Sequence, residues 1–335
     1  MQKRNLAILF LACGLAAVIS ACTFISPVRY FALGSSPEKV ASTSDTPLAK
    51  SAREHFWQDF HAGYYEQLPT LISELTAAYL ETPTDPGLAR LLALAHLWNL
   101  GERGRNAGQD PRVTESALLA ETYFSEALRL EPSDQRLPGF LGITRLVLGS
   151  IHADPKLSTD GYLTIQEGVT SFPEFNLFVL SAGLGQLPAT DSRFDEGVEA
   201  IWRNFEVCAK DTIGRTPSLE QLSAINKKFL GQARQKQLSE PARRACTNTE
   251  IAPHNLEGFF LQWGDLLIKQ GRGEIAKSVY EQAKLVDEYP SWPFKSVLEN
   301  RIRSIESLKP GMKNEQQEVA GSDSAISCTM CHQAK

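Results

Sequence analysis

From Ala52 to about Leu308, apolar residues recur at i, i+3, i+4 and i+7 in segments separated by Pro, Gly and Asp. That period lines one face of an α-helix. No run of alternating β-branched residues is long enough to suggest a sheet. The pattern predicts an all-α body over residues 51–308, and the flanks read differently. Between Thr23 and about Lys50, a stretch such as GSSPEKVASTSDTPLAKS is rich in Ser, Thr and Pro and carries little periodicity. Residues 22–50 are therefore expected to form a flexible tether. From Lys309 the sequence KPGMKNEQQEVAGSDSAIS is polar, with Pro310 and Gly311 placed to end the last helix. Residues 309–335 are expected to be a flexible tail.

Within the body some segments repeat. In FFLQWGDLLIKQGRGEIAKSVYEQAKLVDEYP, the residues Trp263-Gly264, Leu267, Ala276, Tyr280 and Ala283 alternate small and large side chains across two helical stretches. Gly264 and Ala276 would permit a close helix crossing, while Trp263, Leu267 and Tyr280 would fill the groove to the next pair. SALLAETYFSEALRLEPSD carries Ala120, Phe124, Ala127 and Pro132 in the same register, and its first helix would lie around LARLLALAHLWNLG, beyond a longer loop. Weaker units end at Pro83 (Leu71, Leu75, Ala78) and at Pro173 (Gly161, Ile165, Gly168). The spacing resembles the tetratricopeptide repeat (TPR). That resemblance implies a TPR-like helical-hairpin solenoid whose concave face binds a peptide or helix of a protein partner. A non-repetitive helical bundle remains the alternative, and the stretch from Asp191 to Thr249 fits the repeat least well.

The N-terminus changes the picture of where this body works. Lys3 and Arg4 precede an apolar run from Leu6 to Val18, too short to span a bilayer, and Ile19-Ser20-Ala21-Cys22 follows at once. Ile19 does not suit an ordinary secretory cleavage site, which takes small residues at both −3 and −1. Residues 1–21 resemble a bacterial lipoprotein signal peptide, which implies that Cys22 is lipidated and becomes the first mature residue. With Thr23 after it, the resemblance implies an outer-membrane anchor facing the periplasm. Removing Lys3 and Arg4 takes the formal charge from −5 to about −7, an unfavourable balance for gripping nucleic acid. The 42% apolar and 22% charged composition is that of a globular domain.

Of six cysteines, Cys13 would leave with the signal and Cys22 would carry lipid. In an oxidising periplasm Cys208 and Cys246, the unclaimed thiols of the body, are expected to form a disulfide. A metal or redox role for them would need further ligands, and only His254 lies close in sequence.

The remaining pair is in SDSAISCTMCHQAK, where Cys328, Cys331 and His332 form Cys-x-x-Cys-His. This resembles the attachment motif of c-type cytochromes, which implies covalent haem c on Cys328 and Cys331, with His332 on the iron. Structural zinc would need a fourth ligand. A redox Cys-x-x-Cys would need a helix N-terminus to lower the thiol pKa. Met330 lies inside the loop and cannot reach the far side of the ring. The sixth-ligand candidates are Met312 and the histidines of the body, His55, His61, His96, His152 and His254. The expectation is that no tail residue caps the iron stably, leaving the haem exposed and partly high-spin or capped by a body histidine or a partner protein.

A search for catalytic motifs returns no phosphate-cradling glycine loop, no Gly-x-Ser-x-Gly and no His-Glu-x-x-His. Glu54, Asp59 and Glu66 read as a solvated helix face. The aromatic cluster HFWQDFHAGYY reads as a first helix capping the array. The expectation is a non-enzymatic, lipid-anchored interaction scaffold that exchanges electrons with a protein partner, such as a redox protein, through its haem. The alternative is a non-haem scaffold, assembly or transporter-accessory lipoprotein.

Overall fold

The computed structural model describes residues 39–101, 112–247 and 256–307. Cys22, His254, Met312, Met330, Cys328, Cys331 and His332 lie outside them. Among the described residues the protein is all-α, a TPR-like series of helical hairpins with no strand. The helices are α1 (Pro47–Ala62), α2 (Leu68–Glu81), α3 (Pro86–Gly101), α4 (Arg112–Leu130), α5 (Leu137–Ile151), α6 (Pro155–Ser171), α7 (Pro173–Leu184), α8 (Ser192–Ala209), α9 (Leu219–Arg234), α10 (Glu240–Ala245), α11 (Leu256–Lys269), α12 (Gly273–Ala283) and α13 (Lys295–Ser307). The most extensive pairings are α5 with α6, α3 with α4, α7 with α8 and α11 with α12; α4 with α5 and then α1 with α2 follow.

Local chemistry sets the helix starts. Asp154 caps α6 and Asp191 caps α8 through side-chain oxygens that accept backbone N–H bonds, and Ser218 forms a capping box with Gln221 at α9. Proline, whose missing N–H is harmless in the first turn, opens α6 and α7. Gly63 closes α1 at φ 71°, a left-handed conformation that glycine adopts without a Cβ clash.

The body begins earlier than residue 51. Thr46 caps α1 by accepting from the Ala49 N–H at 3.2 Å, and Pro47 is the first helical residue. The preceding strap is hydrogen-bonded down: Ser42 N donates to Thr84 O at 3.0 Å, and Ser44 N donates to Asp85 Oδ2 at 2.6 Å. The Ser/Thr/Pro density that reads as tether thus contains a helix cap and proline start at its C-terminal end.

Successive hairpins are joined by a recurring device. Asp85, buried just before α3, caps that helix by accepting from Leu88 N at 3.0 Å and pairs with Arg53 of α1 at 2.5 Å. Asp134, buried before α5, pairs with Arg90 of α3 at 2.8 Å and with Arg136 at 2.7 Å. Arg53 and Arg90 each reach forward to the loop that starts the next hairpin. At the following joint a buried amide takes this place. Asn176 of α7 donates through Nδ2 to Gln135 O at 2.9 Å and to Gly168 O at 2.8 Å.

Helix α5 meets α6 through glycine. A Cβ placed on Gly142 would lie 2.6 Å from Gly161 O, and one on Gly161 would lie 2.7 Å from Gly142 O. The unit whose spacing reads as weak therefore has backbones in direct apposition. In the α11–α12 hairpin, Trp263 leaves its pair and meets Trp202 of α8 edge-on at 4.6 Å. Tyr280 corrects the sequence reading. Its ring lies on Gly264 inside the hairpin, where a Cβ would come within 2.1 Å of it, instead of filling the groove to the next pair.

Helices α9 and α10 depart from the hairpin order. α9 packs chiefly on α12, where buried Asn226 donates to Gln282 O at 3.2 Å, and α10 packs on α7. A Cys208–Cys246 disulfide, Cα–Cα 5.7 Å, ties the end of α8 to the residue after α10. Both cysteines are buried, beside a small apolar cavity lined by Phe205, Phe229, Leu256 and Phe259. Among the described residues no helix is long and apolar enough to cross a membrane.

Candidate functional site

The residues expected to carry haem and lipid lie outside the described part. The body holds four of the candidate histidines, in distinct environments. His96 of α3 is buried, its ring stacked at 6.0 Å on Tyr123, and burial pushes its pKa down to about 4, so it is neutral. His61, at the end of α1, packs its ring at 5.3 Å from Trp57, and its Nε2 is buried. His152 is exposed at the end of α5.

His55 is placed differently. It lies on the outer side of α1, half exposed, and its Nδ1 is 2.8 Å from Glu74 Oε2 on α2. With Nδ1–H donating to the carboxylate, Nε2 remains as the basic nitrogen, and no described group bonds to it. The bond to Glu74 is the main cause that raises the His55 pKa, assisted by the charges of Asp59 and Glu54. Glu74 stands nineteen residues from His55, on the neighbouring helix. No local motif announces the pair, which exists only because α1 and α2 fold back on each other.

The aromatic cluster of α1 is core. Phe56 and Phe60 are buried, and Phe60 meets Trp98 of α3 edge-on at 5.2 Å. Asp59 has its pKa raised chiefly by desolvation, with Glu74 and Glu66 adding repulsion.

A second polar concentration lies on α11, buried from Leu256 to Ile268. Tyr280 donates a hydrogen bond to Asp265 Oδ1, and Arg301 of α13 approaches the same oxygen at 3.4 Å. Burial raises the Tyr280 pKa well above its usual value. Burial also pushes Glu257 up to about 7. On the surface, Arg215 bridges Glu199 at 2.5 Å and Glu206 at 2.7 Å, with its guanidinium 5.1 Å from the Trp202 ring. One guanidinium bonds both carboxylates and so latches the 210–218 loop to α8. Among the described residues no three His, Cys, Asp or Glu side chains converge as a metal-binding group.

No family model, curated protein or solved structure matches this chain.

Proposed function

We propose that this chain is a periplasm-facing, outer-membrane-anchored lipoprotein whose helical hairpins form a protein-interaction scaffold, and whose C-terminal segment carries haem c for electron transfer. The observation that carries the reading is the sequence Cys328-Thr329-Met330-Cys331-His332, in a chain that opens with a lipobox-like Ile19-Ser20-Ala21-Cys22. The two motifs are independent, and each calls for the same export route. Cys328 and Cys331 would hold the porphyrin through thioethers, and His332 would be the proximal iron ligand. The group, when bound, supplies one-electron exchange. The body's part is to present a helical surface to a protein partner, in the way hairpin arrays do. Turnover of a substrate is no part of this reading.

The test uses full-length chain produced in a host with haem-maturation machinery. A Soret band that survives denaturation, and is lost in Cys328→Ala and Cys331→Ala, is the expected result. Purified protein with the mass of the bare polypeptide and no Soret band would leave the alternative, a non-haem scaffold, assembly or transporter-accessory lipoprotein.

A further inference from the structure

We propose that residues 41–45 form a releasable clasp, a segment that opens from the body without unfolding it and thereby lengthens the chain between the body and its lipid anchor. The use of the clasp rests on the lipoprotein reading above. Its existence does not.

What holds the segment is polar throughout. Ser42 N donates to Thr84 O at 3.0 Å, and the hydroxyls of Ser42 and Thr84 lie 2.7 Å apart. Ser44 N donates to Asp85 Oδ2 at 2.6 Å, the Thr82 hydroxyl donates to Ser44 Oγ at 3.1 Å, and Arg53 Nη1 donates to Ser44 O at 2.9 Å. Ala41 is the one apolar residue of the segment, and it is exposed together with Ser42, Thr43 and Asp45. Only Ser44 is buried. A segment of this kind removes almost no apolar surface from water, so its opening costs far less than the unfolding of a packed helix.

The body keeps its own bonds when the segment leaves. Asp85 retains Arg53 at 2.5 Å and the Leu88 N–H at 3.0 Å, so the ion pair and the α3 cap persist. Thr46 retains the Ala49 N–H at 3.2 Å, so α1 still starts where it did. Apolar packing begins just beyond, at Ala49, Ala52 and Phe56, all buried. Pro47 fixes φ at the first residue of α1, which places the hinge at Thr46. The groups that lose partners, Ser44 N–H and Ser44 O among them, leave with the segment and pass into water, where they are hydrated again. Five freed residues add at most about 17 Å of contour to the tether.

The experiment is native-state hydrogen exchange of the full-length protein over a range of low urea concentrations, read at the Ser44 amide and at the amides of α1. The surface exposed in an opening sets its urea dependence. Ser44 is expected to be protected about ten- to a thousandfold, to exchange well before Phe56, and to show almost no dependence on urea, whereas Phe56 carries the dependence of a packed helix. Ser42→Pro deletes the N–H that bonds Thr84 O at an exposed position. It is expected to cut the protection of Ser44 by about tenfold or more while the melting midpoint stays within about 1 °C. Equal rates and equal urea slopes at Ser44 and Phe56, an unprotected Ser44 in wild type, or a Ser42→Pro chain that melts several degrees lower, each overturns the clasp. A mature chain whose mass shows no lipid on Cys22 overturns the lipoprotein reading, and with it the use of the clasp as a tether extension, while the exchange result stands by itself.

Discussion

Glycine has opposite effects at different positions in this molecule, because what surrounds the missing Cβ differs. At Gly142 on α5 an added methyl would stand 2.6 Å from the Gly161 carbonyl oxygen, a backbone atom that can yield only if α6 moves. Gly142→Ala is therefore expected to destabilise by about 1–3 kcal/mol, the range for overpacking a close interface. Gly231 lies inside α9, and a methyl group added there would have nothing within 4 Å. At that position the helix propensity of alanine acts alone, and Gly231→Ala is expected to stabilise by about 0.5–1 kcal/mol. Urea-unfolding midpoints of the two variants should move in opposite directions. Equal shifts would mean that the α5–α6 apposition is looser than described. Asp85 is a second residue whose role exceeds its size: it caps α3, receives Ser44 N and pairs with Arg53. Asp85→Ala strands a buried N–H and a guanidinium together, and is expected to cost about 2–3 kcal/mol in the same measurement.

The elements themselves were largely legible from period alone, since apolar stripes at helical spacing mark α3, α4, α11 and α12 whatever packs on them. Starts and neighbours were harder. The Thr46-Pro47 start of α1 was hidden because its residue types also make linkers, and composition outvoted position. The places of α9 on α12 and α10 on α7 depend on contacts such as Asn226 to Gln282, fifty-six residues apart, which no local pattern encodes. The His55–Glu74 pair was illegible for the same reason, because only the folding of α2 back on α1 makes the two residues neighbours. The disulfide could be reasoned from thiol arithmetic together with the oxidising compartment that the N-terminal resemblance implies, and it closes a separation of thirty-eight residues around α9 and α10. A loop of that length corresponds to about 4 kcal/mol of unfolded-chain entropy. Cys208→Ser is expected to lower the melting temperature by several degrees and to render α9 and α10 the first segments to exchange backbone hydrogens. Uniform exchange across α8 to α12 in that variant would show that the bridge is incidental to this part of the fold.

On the scale of the whole molecule, two buried groups pull stability in opposite directions with pH. Glu257 has its pKa raised from 4.5 to about 7 by burial, with the Glu288 charge adding to it. Between those values the unfolded chain has released this proton and the folded protein keeps it, so stability falls as pH rises, by up to about 3 kcal/mol at 1.36 kcal/mol per unit. The contribution is full below pH 4.5 and lost on passing pH 7. His96 works the other way, lowered from 6.5 to about 4. Between pH 4 and 6.5 the unfolded chain takes a proton that the buried imidazole refuses, so its contribution is full above pH 6.5 and lost as pH falls through about 4. The paired carboxylates with lowered pKa, Asp134 and Glu206 among them, act mainly below pH 4.5. Exposed His55, whose pKa is raised, acts above 6.5. From pH 4.5 to 6.5 the two buried groups therefore oppose each other, and wild-type stability is expected to be nearly flat. Glu257→Gln removes one slope and should leave a protein that gains stability across that window as pH rises. His96→Gln should leave one that loses it. Urea midpoints at pH 4.5, 5.5 and 6.5 for the three proteins test the account, and a Glu257→Gln profile parallel to wild type would show that Glu257 is solvated and ordinary in the folded chain.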